Sequence, residues 1–263
     1  MHIIDFENIY AGYDDGDVLK AIELKIKEGE NWAILGSNGS GKSTLLKLIM
    51  SDLHPRRAHK FKREVFGKSR YSIFELKDKL GIITNDLHNY FLHSGGHLSA
   101  SDVVLSGYYS SIGTFKHQSF CEKQHKKVLE TLESIEILHL RDKKVKEMST
   151  GELRKCIIAR ALIHNPKAFI LDEPTVGLDI KAQINFIKLL RKLSQNHSII
   201  LVTHHLEEIF EEIGFVALIQ GNTIFKSGPK KEILTSENLS KTFDVNLKIN
   251  EKNGRFYIEE ILG

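Results

Sequence analysis

The chain has few of the residues and segments that mark several classes of protein. Its 263 residues include two cysteines, Cys121 and Cys156, which give neither a disulfide framework nor a zinc-ligand spacing. No apolar run approaches the roughly 20 residues that a bilayer-spanning helix needs, and the opening residues, Met-His-Ile-Ile-Asp, lack the apolar segment of a signal peptide. We therefore expect a protein of a reducing cytoplasm that contacts any membrane only through a partner.

A large excess of charge is also missing. The formal net charge is +3, which is too small to imply a nucleic-acid partner, and the 41% of hydrophobic residues exclude wholesale disorder. A chain of this length can bury a substantial core as one large α/β domain or as two small ones. We expect one domain.

The most specific motif is a phosphate-binding loop. Gly36, Gly41, Lys42 and Ser43 fit the pattern of glycine, four free positions and Gly-Lys-Ser/Thr. Glycines let backbone N–H groups surround phosphate oxygens, the lysine reaches the β and γ phosphates, and the serine offers its hydroxyl to Mg²⁺. An apolar strand-like run precedes the loop and a helical pattern follows it, as the motif requires. The residues predicted to bind the nucleotide here are Gly36, Ser37, Asn38, Gly39, Ser40, Gly41, Lys42, Ser43 and Thr44.

Two later strands end in residues suited to the same chemistry. Residues 167–171 form a buried-type strand that ends in Asp172 and Glu173, and a core strand avoids acids unless its end meets a cation. Asp172 suits the Mg²⁺ shell, and Glu173 suits the water that attacks the γ phosphate. Residues 198–203 form a similar strand that ends at His204, which we include among the candidate catalytic residues.

Ser149 and Glu152 predict the start of a helix. A serine followed three residues later by glutamate is the pattern of a capping box. Two interpretations stay open: the pair only caps the helix, or Ser149, the Gly151 backbone and the helix dipole also form a second anion site.

Other segments also carry a functional and a structural interpretation. Tyr13 could stack on an adenine ring or be an ordinary half-exposed strand residue. Residues 54–70 contain seven Lys and Arg residues against Glu64; they could bind nucleic acid or anionic lipid, but without an aromatic stacking pattern we favour a solvated strand pair with its loop.

A strand at residues 80–84 is followed by two segments of different composition. Residues 85–97 are polar and predict a loop, and its three histidines, His88, His93 and His97, fit no zinc-ligand spacing. Apolar positions between 101 and 140 fall at helical spacing and predict a helical insertion.

In order and spacing, these motifs resemble those of the nucleotide-binding subunits of ABC ATPases over essentially the whole chain. The resemblance implies that Tyr13 stacks on adenine, that Ser149, Gly151 and Glu152 contact ATP, and that His204 is the switch histidine. The matches are Walker A at 36–44, signature at 149–152, Walker B at 170–173, D-loop at 177–179, switch histidine His204 and A-loop Tyr13.

Two motifs depart from the family pattern, at three positions. The signature has Thr150 where the family usually has glycine, and Glu152 where glutamine is common. Asn85 stands where the family's Q-loop glutamine follows a strand. Its carbonyl is expected to ligate Mg²⁺ in the glutamine's place, although it is one methylene shorter, and the coupling that this loop performs in transporters is expected to differ with it.

The resemblance also implies a fold. It is an α/β P-loop NTPase with a RecA-like, mostly parallel sheet core, an N-terminal antiparallel β subdomain and an inserted α-helical subdomain. Within a single domain of 1–263, residues 1–85 and 160–230 are expected to form the catalytic core and β part. Residues 86–159 are expected to hold the Q-loop region and the helical subdomain, and residues 231–263 a tail whose final hairpin turns at 253–254.

The function implied is that of an ATP-hydrolysing subunit that uses ATP and Mg²⁺. Two copies are expected to pack head to tail and to power a membrane permease from the cytoplasmic face of the membrane. The tail, with residues 234–239 and 243–249, resembles those of subunits serving iron-chelate, cobalamin and molybdate importers. The alternative is a soluble ABC ATPase without a transport role, acting in cofactor assembly or on nucleic acid.

Overall fold

The structure is a computed structural model that describes residues 1–14, 16–57, 59–115 and 117–262. Its strands, in chain order, are β1 His2–Tyr13, β2 Gly16–Lys27, β3 Trp32–Gly36, β4 Lys62–Val65, β5 Leu80–Ile83, β6 Ala168–Asp172, β7 Ser198–Thr203, β8 Phe215–Gln220, β9 Thr223–Pro229, β10 Leu247–Lys252 and β11 Arg255–Ile261.

The helices lie mainly in the middle of the chain. They are α1 Lys42–Met50, α2 Ile73–Lys79, α3 Asn85–Ser94, α4 Ala100–Leu105, α5 Glu122–Ser134, α6 Thr150–Leu162, α7 Ile180–Leu193, α8 Lys230–Ile233 and α9 Ser236–Phe243.

The chain divides into two compact units. Unit 1 comprises residues 1–73 and 194–263, and unit 2 comprises residues 74–193. The subdomain boundaries predicted at 85/86 and 159/160 both fall inside unit 2 and stay predictions.

Unit 1 contains an antiparallel sheet with the strand order β2-β1-β4. Strand β1 pairs with β2 through Ile4↔Ile26 and with β4 through Ile4↔Val65. Apolar side chains such as Ile4, Ile22 and Ile26 are fully buried. The antiparallel strands predicted before the loop strand are confirmed.

Unit 1 also contains strands that are buried on both faces. Strand β3 pairs in parallel with β7 and with β8, and β9 adds antiparallel to β8. Every residue of β3 and β7 is buried. Such continuous apolar runs are expected of parallel strands that are covered on both faces, and they fix the positions of the loop after β3 and of His204 after β7.

Unit 2 holds the helical region and a parallel strand pair. Strands β5 and β6 pair through Ile82↔Ile170, and the helical insertion predicted for 101–140 is confirmed by α4 and α5.

The polar loop predicted for residues 85–97 is wrong over most of its length, because residues 85–94 form helix α3. The Thr84 hydroxyl accepts a hydrogen bond from the Leu87 N–H at 3.2 Å and caps the helix. His88 and Phe91, three residues apart, are its buried face. With only two buried positions in ten residues, the helical periodicity of this segment is too weak to predict a helix from the sequence.

The basic stretch supplies internal contacts to unit 1. Arg63 is 7% exposed and donates to the Leu48 carbonyl and to the Tyr71 hydroxyl at 2.6 Å. Lys62 pairs with Asp5 at 2.5 Å. Among the described residues of this stretch only one strand, β4, is present, where a strand pair was predicted.

The predicted C-terminal hairpin is confirmed. Strands β10 and β11 pair through Lys252↔Arg255, and the turn residues Asn253 and Gly254 have φ values of 53° and 73°. Two successive left-handed residues are what a two-residue type I′ turn requires.

Candidate functional site

The phosphate-binding loop joins β3 to α1 in unit 1. Gly39 and Gly41 have φ values of 79° and 102°, which L residues rarely adopt. A Cβ atom on Gly36 would lie 2.5 Å from the Ser40 hydroxyl and 2.9 Å from the Ile219 carbonyl. The glycines are therefore required by the shape of the loop itself.

Helix α1 begins without a protein cap. Its N-cap residue is Gly41, no hydrogen bond from a side chain in the described residues closes it, and its first turn contains no acid. The Ser40 hydroxyl is buried and has no hydrogen-bond partner in the described part of the chain. A glycine N-cap and a first turn without an acid leave the positive end of the helix dipole to an anion, so the loop fits a phosphate group.

Lys42 lies beneath the loop. It is 7% exposed, and its ammonium group donates to the carbonyls of Gly36 at 2.7 Å and Ser37 at 3.0 Å. These bonds keep the cation at the loop, where phosphate oxygens can take the place of carbonyl acceptors. Ser43, the predicted Mg²⁺ ligand, is exposed in the first turn of α1.

Tyr13 lies at the end of β1 and is 45% exposed. The Lys47 ammonium donates to its hydroxyl at 3.1 Å and lies 5.3 Å from its ring centroid. Arg56 pairs with Asp17 at 2.6 Å and donates to the carbonyls of Gly16 and Tyr13. Sequence reasoning missed these two cations, because both contacts join residues more than 30 positions apart.

His204 directly follows β7. Its ring centroid lies 3.9 Å from that of His205, whose backbone N–H donates to the Thr203 hydroxyl at 2.9 Å. Both histidines are half-buried. The catalytic role of His204 stays a prediction.

In unit 2, the predicted capping box at the start of α6 is confirmed. The Ser149 hydroxyl accepts from the Glu152 N–H at 3.2 Å, and the Glu152 carboxylate accepts from the Ser149 N–H at 2.7 Å. Lys143 donates to both oxygens of that carboxylate at 2.9 Å. Burial pushes the pKa of Glu152 up, but the hydrogen bonds from Lys143 and Ser149 outweigh it and hold the pKa below its usual value.

The two acids that follow one another at the end of β6 are both half-buried. Glu173 has a φ of 46°, in the left-handed region that costs a non-glycine residue about 1–3 kcal/mol. Arg154 of α6 donates to the carbonyls of Glu173 at 3.2 Å and Pro174 at 2.7 Å. The D-loop Asp179 caps α7, since its carboxylate accepts from the Ala182 N–H at 2.8 Å.

Asn85 is the first residue of α3. Its side-chain oxygen accepts a hydrogen bond from Arg154 at 3.1 Å. The role of Asn85 as a Mg²⁺ ligand stays a prediction. The side-chain oxygen that would bind the metal already accepts the hydrogen bond from Arg154.

Arg154 was missed by sequence reasoning, although a signal existed. Positions 154, 157, 158 and 161 lie on one face of α6, and the last three are apolar and buried. An arginine on the buried face of a helix must find acceptors, which marks it as part of a network.

A strand, a glycine loop and an uncapped helix with a lysine beneath the loop define a P-loop NTPase. The ABC transporter family model matches residues 19–176. The chain therefore belongs to the ABC transporter family as an ATP-binding protein, and its fold is that of the ABC ATPases.

Relatives and solved structures agree with this assignment. The uncharacterized ABC transporter ATP-binding protein YlmA of Bacillus subtilis is 31% identical over 256 residues, which cover 94% of this chain and 93% of YlmA. A chain of an inward-facing transporter assigned to the metal-chelate type is 25% identical, with a TM-score of 0.80 and coverage of 100% and 98%. The ATP-binding cassette MJ0796, solved as a dimer in a post-hydrolysis state with ADP and phosphate, is 25% identical, with a TM-score of 0.68 and coverage of 86% and 98%.

No helix in the described part of the chain combines the length and the apolar character of a membrane span.

Proposed function

We propose that this protein hydrolyses ATP to power an ABC transporter of the importer type. The observation that carries the proposal is the start of α1, where an uncapped helix terminus meets Lys42 held by two exchangeable carbonyl acceptors. That arrangement supplies both the donors and the charge that a triphosphate needs.

Six of the predicted site residues have a role of their own in this proposal. Lys42 neutralises the β and γ phosphates, and Tyr13 stacks on the adenine ring. Ser43 and Asp172 offer the hydroxyl and carboxylate oxygens that Mg²⁺ prefers, and bound Mg²⁺ supplies charge neutralisation. Glu173 orients and deprotonates the attacking water, and His204 contacts the γ phosphate.

The proposed working form is a head-to-tail pair of chains. A triphosphate has one γ phosphate, whereas each chain has two helix termini with predicted phosphate sites, at α1 and α6. If two copies share one nucleotide, the α1 terminus of one copy and the α6 terminus of the other both contact it. The dimeric state in which the similar cassette MJ0796 is solved supports this arrangement.

The proposed partner is a membrane permease at the cytoplasmic face. Unit 2 exposes several aromatic side chains, among them Tyr90 at 48%, Tyr109 at 42% and Phe115 at 51%, and aromatic residues are enriched in protein–protein interfaces. The tail resemblance and the similarity to a metal-chelate type transporter support import. The rival, a soluble ATPase acting on nucleic acid, is less well supported because Lys62 and Arg63 already bind partners within unit 1.

The test is the variant Glu173→Gln, which removes the base and keeps the size of the side chain. We expect the Kd for ATP to stay within about twofold and turnover to fall by about 100-fold or more, because the charge that orients the attacking water is lost. With ATP present, the variant should elute as a dimer in size-exclusion chromatography.

Glu207→Gln is the matched control, since Glu207 is an exposed acid outside every proposed site. It should leave turnover and oligomeric state unchanged. Unchanged turnover in Glu173→Gln would contradict the assignment of the base. Tagged Glu173→Gln trapped with ATP should co-purify a polytopic membrane protein, and a soluble partner instead would favour the rival function.

A further inference from the structure

Arg154 is a buried cation at the centre of a hydrogen-bond network in unit 2. Only 4% of it is exposed. Its Nη1 donates to the Glu173 and Pro174 carbonyls at 3.2 and 2.7 Å, and its Nη2 donates to the Val176 carbonyl at 2.6 Å and to Asn85 Oδ1 at 3.1 Å. One guanidinium group thus joins two helices and a turn: α6, the start of α3 and the turn after β6.

Three of these acceptors are backbone carbonyls of a single turn. The turn begins at Glu173, whose φ of 46° is a strained conformation for a residue with a Cβ atom. Such a conformation persists only where the surroundings fix it, and a planar guanidinium fixes the directions of the carbonyls that it binds. Arg154 therefore holds the backbone from which the Glu173 side chain projects.

The fourth acceptor connects this turn to helix α3. Nη2 carries two hydrogens and donates to both the Val176 carbonyl and Asn85 Oδ1, so a movement of Asn85 shifts the guanidinium group that holds the turn. The same contact bears on metal binding, because a cation 3.1 Å from an oxygen disfavours a second cation there.

We propose that Arg154 is a positioning residue that couples the start of α3 to the orientation of Glu173, and that Asn85 acts through Arg154 rather than as a Mg²⁺ ligand. This inference rests on the proposed ATP hydrolysis and describes how the orientation of Glu173 in the hydrolysis site is controlled. A change at α3, where the family's Q-loop residue lies, reaches Glu173 through one side chain.

The first test is the kinetics of Arg154→Gln, which removes the charge and the planar fork. We expect kcat to fall by about 10- to 100-fold with the KM and Kd for ATP within about twofold, because misplacing a reacting group lowers the rate while the nucleotide is bound elsewhere. Arg154→Lys should fall between this variant and the wild type, since it keeps the charge without the fork.

The second test is a double-mutant cycle with Asn85→Ala. This variant should lower kcat less than Arg154→Gln, and the double variant should be no slower than Arg154→Gln alone, because both changes break one network. The Mg²⁺ concentration for half-maximal turnover should stay within about twofold in Asn85→Ala. A several-fold rise would assign the Asn85 oxygen to the metal and overturn that part of the proposal.

Arg160→Gln is the matched control. Arg160 lies on the same helix, and burial lowers its pKa to about 10, but it donates to the Ser106 hydroxyl at 3.2 Å and the Ser111 carbonyl at 3.1 Å. It should keep the wild-type kcat. Wild-type kcat in Arg154→Gln, a raised KM at constant kcat, or additive losses in the cycle would overturn the proposal.

Amide hydrogen exchange tests the same coupling without turnover. The peptide covering residues 173–179 should exchange faster in Arg154→Gln and also in Asn85→Ala, which removes a single half-buried acceptor and is expected to fold. Unchanged exchange in Asn85→Ala overturns the coupling. A wild-type protein without ATPase activity contradicts the proposed function instead, and the exchange result still decides whether the network exists.

Discussion

The N-termini of helices α1 and α6 both carry a predicted phosphate site, yet their first-turn N–H donors are satisfied in opposite ways. At α1 the N-cap is Gly41, and no side chain in the described ranges caps the helix. At α6 the side chains of Ser149 and Glu152 close the terminus. Donors without a protein acceptor can bind an anion at once, whereas capped donors must first share or lose their acceptor. The α1 site is therefore ready in one chain, and the α6 site has to be rearranged or supplemented.

The same contrast extends to side chains of the two units. In unit 1 the Ser40 hydroxyl is buried without a partner in the described residues, while in unit 2 Asn85 and Glu152 are bound by Arg154 and Lys143. The Ser40 hydroxyl of unit 1 can thus accept a ligand, whereas the Asn85 and Glu152 side chains of unit 2 already bind protein donors. His88 is an exception: it is 5% exposed, and its Nδ1 has no hydrogen-bond partner within the described part of unit 2.

The largest predicted effect tests that exception through pH. Burial, and secondly the charge of Arg154, lower the pKa of His88 from 6.5 to about 4. At pH values between about 4 and 6.5, His88 binds a proton in the unfolded chain but not in the folded chain. The stability due to neutral His88 is therefore complete above pH 6.5 and declines as the pH falls towards 4, by about 3 kcal/mol in all.

Urea unfolding at several pH values between 7.5 and 4.5 measures this decline. His88→Phe should show a shallower loss of unfolding free energy than the wild type. Leu92→Phe, which replaces an exposed residue without a titratable group on the same helix, should keep the wild-type slope. Equal slopes in the wild type and His88→Phe would mean that His88 is protonated or solvated in the folded state, and the exception in unit 2 would disappear.

The next prediction concerns the open groups of unit 1. Tyr13→Ala should raise the Kd for ATP by about 10- to 100-fold, since stacking on a base is worth roughly 1–3 kcal/mol. The Kd for inorganic tripolyphosphate should not change, because that ligand has no base and uses only the loop at α1. Isothermal titration calorimetry with both ligands gives the two constants.

Tyr13→Phe separates stacking from the hydroxyl contact with Lys47. It keeps the aromatic ring and should bind ATP with nearly the wild-type Kd. If Tyr13→Ala weakens both ligands equally, then Tyr13 supports the loop rather than the base, and it would be an ordinary strand residue.

The sequence was sufficient for the parts of the fold and site in which neighbouring residues cooperate. The loop from Gly36, the α1 helix after it, the capping box at Ser149 and the turn at 253–254 are each encoded within about ten residues. Buried strands such as β6 and β7 could be predicted because they are continuous apolar runs. The roles of Glu173 and His204 stay predictions, since they depend on a bound nucleotide.

The features that sequence reasoning missed depend on contacts between distant residues. Arg154 meets Asn85 across 69 positions and Val176 across 22, and no local pattern records such partners. Helix α3 was not predicted because its buried face consists only of His88 and Phe91. Long-range hydrogen bonds follow from the packed fold and have no period in the sequence.

The smallest predicted effect decides whether the capped terminus at α6 also binds phosphate. Ser149→Ala removes the cap and should lower the unfolding free energy by about 1 kcal/mol. Ser149→Asp restores a good cap, so its stability should be within about 0.5 kcal/mol of the wild type, but its carboxylate repels a phosphate group. We therefore expect Ser149→Asp to lose ATPase turnover by about tenfold or more, despite its restored stability. Wild-type turnover in Ser149→Asp would leave Ser149 with the capping role alone, and the nucleotide would then contact only α1.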